Sequence, residues 1–211
     1  MNISRVSIPE RLYGAYIFDL DGTLVDSMEA HFRAWKTAFA ASGAPSEAFP
    51  WEEFIAHGGR SAHDVVASVN AAYGLRMDTA AVSRLKRQCY LDVIAGLRLP
   101  IVEETVAWAR RLRGKGIPYA IGTGSLRRGA CATLAAAGIE ELFPLIVTPE
   151  DVEHGKPAPD MFLKAAYLMG ANPSDCLVFE DAEPGIEAAR AAGMDYAVVS
   201  PPPSLSCPQV G

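Results

Sequence analysis

The chain has no basic run, no closely spaced cysteine pair and no apolar stretch long enough to cross a bilayer. Each absence removes a class of protein. Nineteen Lys and Arg residues against 25 Asp and Glu give a net charge of −6, which is not the footprint of a nucleic-acid binder. Any anionic partner must therefore be met by a locally built site. The four cysteines, Cys89, Cys131, Cys176 and Cys207, are scattered in apolar or tail contexts, as free thiols of a reducing compartment would be. Met1-Asn2-Ile3-Ser4-Arg5 lacks the apolar core of a secretory signal. These features predict a cytoplasmic protein that binds neither membrane nor nucleic acid, with a monomer as the expected state.

Fifty per cent hydrophobic content over 211 residues supplies a sizeable core for one domain, or for a domain with an insertion. Strand-like apolar runs stand at Tyr13–Phe18, Pro118–Ile121, Leu145–Val147, Cys176–Phe179 and Tyr196–Val199. After the first gap they alternate with helical patterns or short loops, which predicts an α/β protein with a Rossmann-like parallel sheet flanked by helices. The helix at about Ile101–Arg113 is read as a crossover. Met28 to about Leu99 has helical periodicity and almost no strand signal. It is expected to be a helical cap, 28–99, inserted into a core of 1–27 and 100–200. Pro201-Pro202-Pro203 opens a tail, 201–211, without periodicity or apolar mass, expected to be disordered.

The first strand runs into Asp19-Leu20-Asp21-Gly22-Thr23-Leu24. Alternate side chains of an extended strand share a face, so Asp19 and Asp21 repel each other unless a cation or a reaction uses them. One acid can act as a nucleophile toward phosphorus while the other moves a proton. The alternative is structural, with Asp21-Gly22 as a turn and the other acid as a helix cap.

Chemistry-bearing residues recur after later strands. Gly122-Thr123-Gly124-Ser125 precedes a helix starting near Leu126. Small residues there expose amides to a phosphate, with the Thr123 hydroxyl as a further donor. Ser125 as N-cap is the plainer reading, and a dinucleotide site lacks its third glycine at Arg127. Lys156 is followed by Pro157 and Pro159, which stiffen the loop holding its charge. Glu180-Asp181-Ala182-Glu183 places three acids in four residues. Asp181 and Glu180 suit a hard cation such as Mg²⁺, while Glu183 suits a helix cap.

Together these strings, Phe18–Leu24, Gly122–Ser125, Lys156–Asp160 and Phe179–Gly185, resemble the signature set of the haloacid dehalogenase superfamily of phosphotransferases. Within it they look like the β-phosphoglucomutase-like subgroup and its fructose-1-phosphate phosphatases. The resemblance implies a nucleophilic Asp19 and an acid/base Asp21. It also implies phosphate bound by Thr123, Gly124 and Lys156, with Mg²⁺ on Asp19, the Asp21 carbonyl and Asp181. The cofactor is then Mg²⁺ and the partner a small phosphosugar.

His31 and Trp35 lie four residues apart on one helix face. Core packing explains them from residue types alone, whereas the same spacing in the subgroup implies sugar contacts. Arg60, in His57-Gly58-Gly59-Arg60-Ser61, stands ready to meet a hydroxyl or second anion. The subgroup's mutases place basic residues just before and three after a loop glycine. If that glycine is Gly59, the positions hold Gly58 and Ala62. Hydrolysis is therefore favoured over isomerisation as a β-phosphoglucomutase. A silent phosphosugar-binding regulator would have no need for both Asp19 and Asp21, and a dehalogenase would not require the second acid or the metal.

Overall fold

The computed structural model describes residues 11–200. Five parallel strands form one sheet in the order β3-β2-β1-β4-β5. They are β1 (Ala15–Phe18), β2 (Tyr119–Gly122), β3 (Ile146–Val147), β4 (Cys176–Glu180) and β5 (Asp195–Val198). Central β1 is apolar and buried throughout, as a strand covered on both faces must be. Phe18 of β1 stacks on Phe179 of β4, their ring centroids 4.6 Å apart. The tips of β1, β2 and β4 therefore end side by side, where the strand order reverses with β2 and β3 on one side of β1 and β4 and β5 on the other, the usual crevice of an open α/β sheet.

Helices α5 (Glu103–Lys115), α6 (Arg127–Ala137), α7 (Asp160–Met169) and α8 (Glu183–Ala191) complete this layer. Glu103 and Glu104 begin α5, and Arg113 and Lys115 end it, both favourable to the helix dipole. Between β1 and α5 come four helices and no strand: α1 (Met28–Ala41), α2 (Trp51–Ala56), α3 (Ala62–Tyr73) and α4 (Thr79–Ile94). They bury an apolar cluster of their own around Trp35, Phe39, Phe49, Trp51, Phe54 and Val66. The outgoing and returning passages are tied together, with Asp26 N donating to Pro100 O at 2.9 Å and Val102 N to Leu24 O at 2.9 Å.

Several predicted boundaries move. Tyr13 and Gly14 precede β1 because they serve the other end of the sheet, where Tyr13 Oη donates to Asp195 and Gly14 N to Asp175 O. Helix α5 starts at Glu103, since Ile101 bridges to Val25. Strand β4 extends to Glu180, paired with Val198. Among the described residues no helix is long and apolar enough to cross a membrane, and Cys89, Cys131 and Cys176 are free thiols. Cys207 and the tail expected at 201–211 lie outside the described residues.

Candidate active site

Asp19 N donates to Phe179 O at 2.9 Å, which fixes Asp19 where β1 and β4 end. The chain then turns, with Gly22 N donating to Val25 O at 2.8 Å. Turn and paired acids are thus one feature: both Asp19 and Asp21 line a single cavity of about 790 Å³ between the helical segment and the strand tips. Thr123, Gly124, Lys156, Glu180 and Asp181 line its core side; His31, Trp35 and Arg60 line its helical side. All the residues singled out from the sequence converge there.

Lys156 is buried and donates to Asp19 Oδ1 at 2.5 Å and Glu180 Oε1 at 2.6 Å. Burial opposes its charge, but the two carboxylates prevail and raise its pKa. The other oxygen of Glu180 accepts from the amides of Asp181 and Ala182, each at 2.8 Å. Glu180 is thus already engaged at both oxygens, and the geometry gives it the work of seating Lys156 and the start of α8, where cation binding would compete. Asp181 accepts from Thr23 Oγ1 at 2.8 Å.

Burial pushes Asp19 well above the usual carboxylate range, with Lys156 opposing and the charges of Glu180 and Asp181 adding to the rise. Asp181 is pushed up to about 7 by burial and by Glu180. Two desolvated, mutually repelling carboxylates are a donor set suited to a hard divalent cation. Among the described residues, no three acidic, histidine or cysteine side chains gather into a metal cluster of their own. A cation here would need backbone, water or substrate oxygens as well.

Asp21 is held differently. Its Oδ1 accepts from Ser27 Oγ and its Oδ2 from Ser125 Oγ, both at 2.6 Å. The structural alternative for Ser125 does not hold: Leu126 is the N-cap of α6 and makes no side-chain cap, while Ser125 donates to Asp21. Glu183 likewise makes no cap at α8 and pairs with Arg190 instead. Burial alone would raise the pKa of Asp21; His31 and the hydroxyls of Ser125 and Ser27 drive it below the usual carboxylate range.

His31 Nε2 stands 3.1 Å from Asp21 Oδ1, though not in line for a strong hydrogen bond. Its Nδ1 is 2.7 Å from Lys86 Nζ, and its ring stacks on Tyr90 at 3.9 Å. A charged lysine can only donate, so Nδ1 accepts and Nε2 carries the hydrogen. Burial and Lys86 hold His31 below its ordinary pKa despite Asp21. Lys86 was not anticipated from sequence; the signal was its position on the same helix stripe as Tyr90, visible only once α4 is known to face α1.

Thr123 is buried, and its Oγ1 accepts from Ser125 N at 3.1 Å. Its hydroxyl hydrogen remains free to donate, and the neighbouring Gly124 amide makes no hydrogen bond to the described residues. Trp35 is mostly cap core, stacked on Phe39 at 5.0 Å and packed on Phe49. His57 Nδ1 donates to Glu53 O at 2.9 Å, and its buried Nε2 has no hydrogen-bond partner among the described residues.

A protein-family model described as haloacid dehalogenase-like hydrolase matches residues 13–193, the span containing every residue of this constellation. The chain belongs to the haloacid dehalogenase-like hydrolases. Fructose-1-phosphate phosphatase YqaB of Escherichia coli is 37% identical over 187 residues, covering 87% of this chain and 94% of that protein. β-Phosphoglucomutase of Bacillus subtilis is 32% identical over 189 residues, covering 85% and 80%. Among solved structures, a hydrolase from Pseudomonas syringae superposes with a TM-score of 0.75 at 29% identity, covering 86% and 82%. This haloacid dehalogenase-like hydrolase is a phosphoric monoester hydrolase, with sugar phosphatases among its relatives.

Proposed function

We propose that the chain is a Mg²⁺-dependent phosphatase of a small phosphosugar, fructose 1-phosphate being one candidate, and that it works through an aspartyl-phosphate on Asp19. The observation that carries this reading is the Lys156 ammonium 2.5 Å from Asp19 Oδ1, in one cavity with Asp21 and Thr123. Asp19 attacks phosphorus; its new O–P bond forms as the bond to the sugar oxygen breaks. Asp21 gives that oxygen its proton, then takes a proton from the water that cleaves the acyl phosphate. Lys156, the Thr123 hydroxyl and the Gly124 amide hold the phosphoryl oxygens, stabilising charge as it redistributes.

The Asp21 network favours the carboxylate, the form required as base in the second half-reaction. An anionic substrate beside Asp21 favours proton uptake, because like charge raises a carboxyl pKa, and this suits the first half. Asp19, Asp181 and the Asp21 backbone oxygen would hold Mg²⁺. When bound, it neutralises the repulsion between nucleophile and phosphate.

The test is phosphate release with Mg²⁺ from hexose, pentose and triose phosphates by wild type and Asp19→Asn, with β-glucose 1-phosphate followed in parallel for isomerisation. Release from one or a few substrates, lost in the variant, is the expected result. Undiminished release by Asp19→Asn would sink the mechanism. Isomerisation with little release would make the chain a mutase.

A further inference from the structure

Two of the chain's five lysines line the cavity, and they are kept in opposite ways. Lys156 lies between two carboxylates, Asp19 and Glu180. Lys86 of α4 makes no ion pair with a carboxylate among the described residues, although burial strips its ammonium of water. What surrounds it is neutral or aromatic: His31 Nδ1 at 2.7 Å, and the ring centroids of Trp35 and Tyr90, each 5.4 Å from Nζ. Asp21 attracts it only across the imidazole of His31, whose far nitrogen is 3.1 Å from Asp21 Oδ1, and Arg87 repels it. The other lysines stand outside the cavity: Lys36 donates to Ser46 O, Lys115 ends α5, and Lys164 lies over the ring of Tyr167.

A desolvated ammonium without a counter-ion is costly to keep charged, and aromatic faces offset only part of the lost hydration. The same loss of solvation, which brings Lys86 down to about 8, makes its free amine available to attack a carbonyl carbon. Lys156, raised by its carboxylates, stays an ammonium and cannot attack. His31 adds a proton route. Its Nδ1 is the acceptor facing the amine, so it can take a proton from nitrogen during attack and return it to the departing oxygen. The Lys86 side chain is only partly buried, and it lines the same cavity as Thr123, Gly124 and Lys156. One imidazole separates it from Asp21, so a small phosphate ester seated at the strand tips brings its carbon chain toward the amine.

We propose that Lys86 is a nucleophilic amine and a covalent modification site, at which the cavity captures a small phosphate monoester bearing a free aldehyde, such as an open-chain aldose phosphate. The C–N bond forms as the carbonyl π pair moves onto oxygen; the two amine hydrogens then leave with that oxygen as water, and an imine remains. Nothing is oxidised or reduced, and hydrolysis reverses the step. Such an adduct fills the cavity from its helical side and blocks turnover. The proposal rests on the phosphatase reading for the seat of the phosphate, and on the surroundings of Lys86 for the reaction.

The test uses the full chain as Asp19→Asn, with Mg²⁺, so that the ester is not consumed. Glyceraldehyde 3-phosphate is compared with glyceraldehyde, which lacks the phosphate, and with glycerol 3-phosphate, which lacks the aldehyde. Borohydride then fixes any imine as a secondary amine, and peptide mass mapping locates it. The expected result is a single adduct on Lys86, formed at least about tenfold faster from the phosphate ester than from glyceraldehyde, slowed by inorganic phosphate and absent with glycerol 3-phosphate. Adding Lys86→Arg, which keeps the charge and removes the reactive amine, should leave the protein unlabelled, its fold checked by circular dichroism. Preferential labelling of Lys36, Lys115, Lys156 or Lys164, or a rate indifferent to the phosphate, overturns the proposal. If Lys86 is labelled as expected while wild type releases phosphate from no phosphosugar, the reactive amine stands and the phosphatase reading fails.

Discussion

A Cβ on Gly185 would fall 1.7 Å from Glu180 Oε1, the atom that accepts from Lys156. The absence of a side chain at the start of α8 therefore makes room for the acid that seats Lys156. Gly185→Ala should displace Glu180 and misplace Lys156, lowering phosphate release by roughly 10²–10³-fold, as loss of a preorganised electrostatic contact does. The thermal midpoint should fall as well, since a buried charge loses its partner. Activity within about tenfold of wild type would show that Glu180 need not occupy this position. At this scale Asp19, Asp21, Thr123, Lys156 and Asp181 could be singled out because local strings carry them, and the fold brings them to one cavity. The double engagement of Glu180 could not, because it depends on a lysine 24 residues away.

Helix α4 joins two tasks that its sequence does not separate. One face, bearing Lys86 and Tyr90, packs on α1 and reaches α6, where Tyr90 Oη and Thr133 Oγ1 lie 2.7 Å apart; the adjoining stripe bears Arg84 and Arg87. Burial lowers Lys86 to about 8 from 10.5, with Asp21 opposing and Arg87 assisting; His31 Nδ1 faces it at 2.7 Å. Because the folded-state value lies below the unfolded one, the unfolded chain retains a proton that the folded chain releases between about 8 and 10.5. Stability must then rise with pH across that window. Chemical denaturation should show wild type gaining on Lys86→Met as pH climbs from 7.5 to 10, by roughly 1 kcal/mol or more. Parallel stabilities would mean that Lys86 titrates normally. The parallel sheet and helical insertion were legible from strand spacing and periodicity, while boundaries shifted where hydrogen bonds from distant segments decided them, as at Ile101 and Glu180.

On the scale of the whole molecule, the helical segment and the sheet layer meet through the tied passages at Asp26 and Pro100, through α4 against α6, and through the turn after α2. Gly59, with φ of +73°, is the point of closest approach in that turn. A Cβ there would lie 3.1 Å from both Ala182 Cβ and Pro184 Cδ at the start of α8. Neither neighbour is the end of a flexible side chain, and an alanine would bear backbone strain besides. The sequence displayed Gly58-Gly59 as a loop able to close over the site; what the loop closes onto required the fold. Gly59→Ala should keep the helical segment from seating on α8, leaving water in the cavity and Arg60 displaced. The expected outcome is a fall in kcat and a rise in KM together, about tenfold in their ratio or more, with a loss of about 1 kcal/mol in unfolding free energy from the left-handed backbone. An unchanged KM and kcat would place closure elsewhere than at this turn.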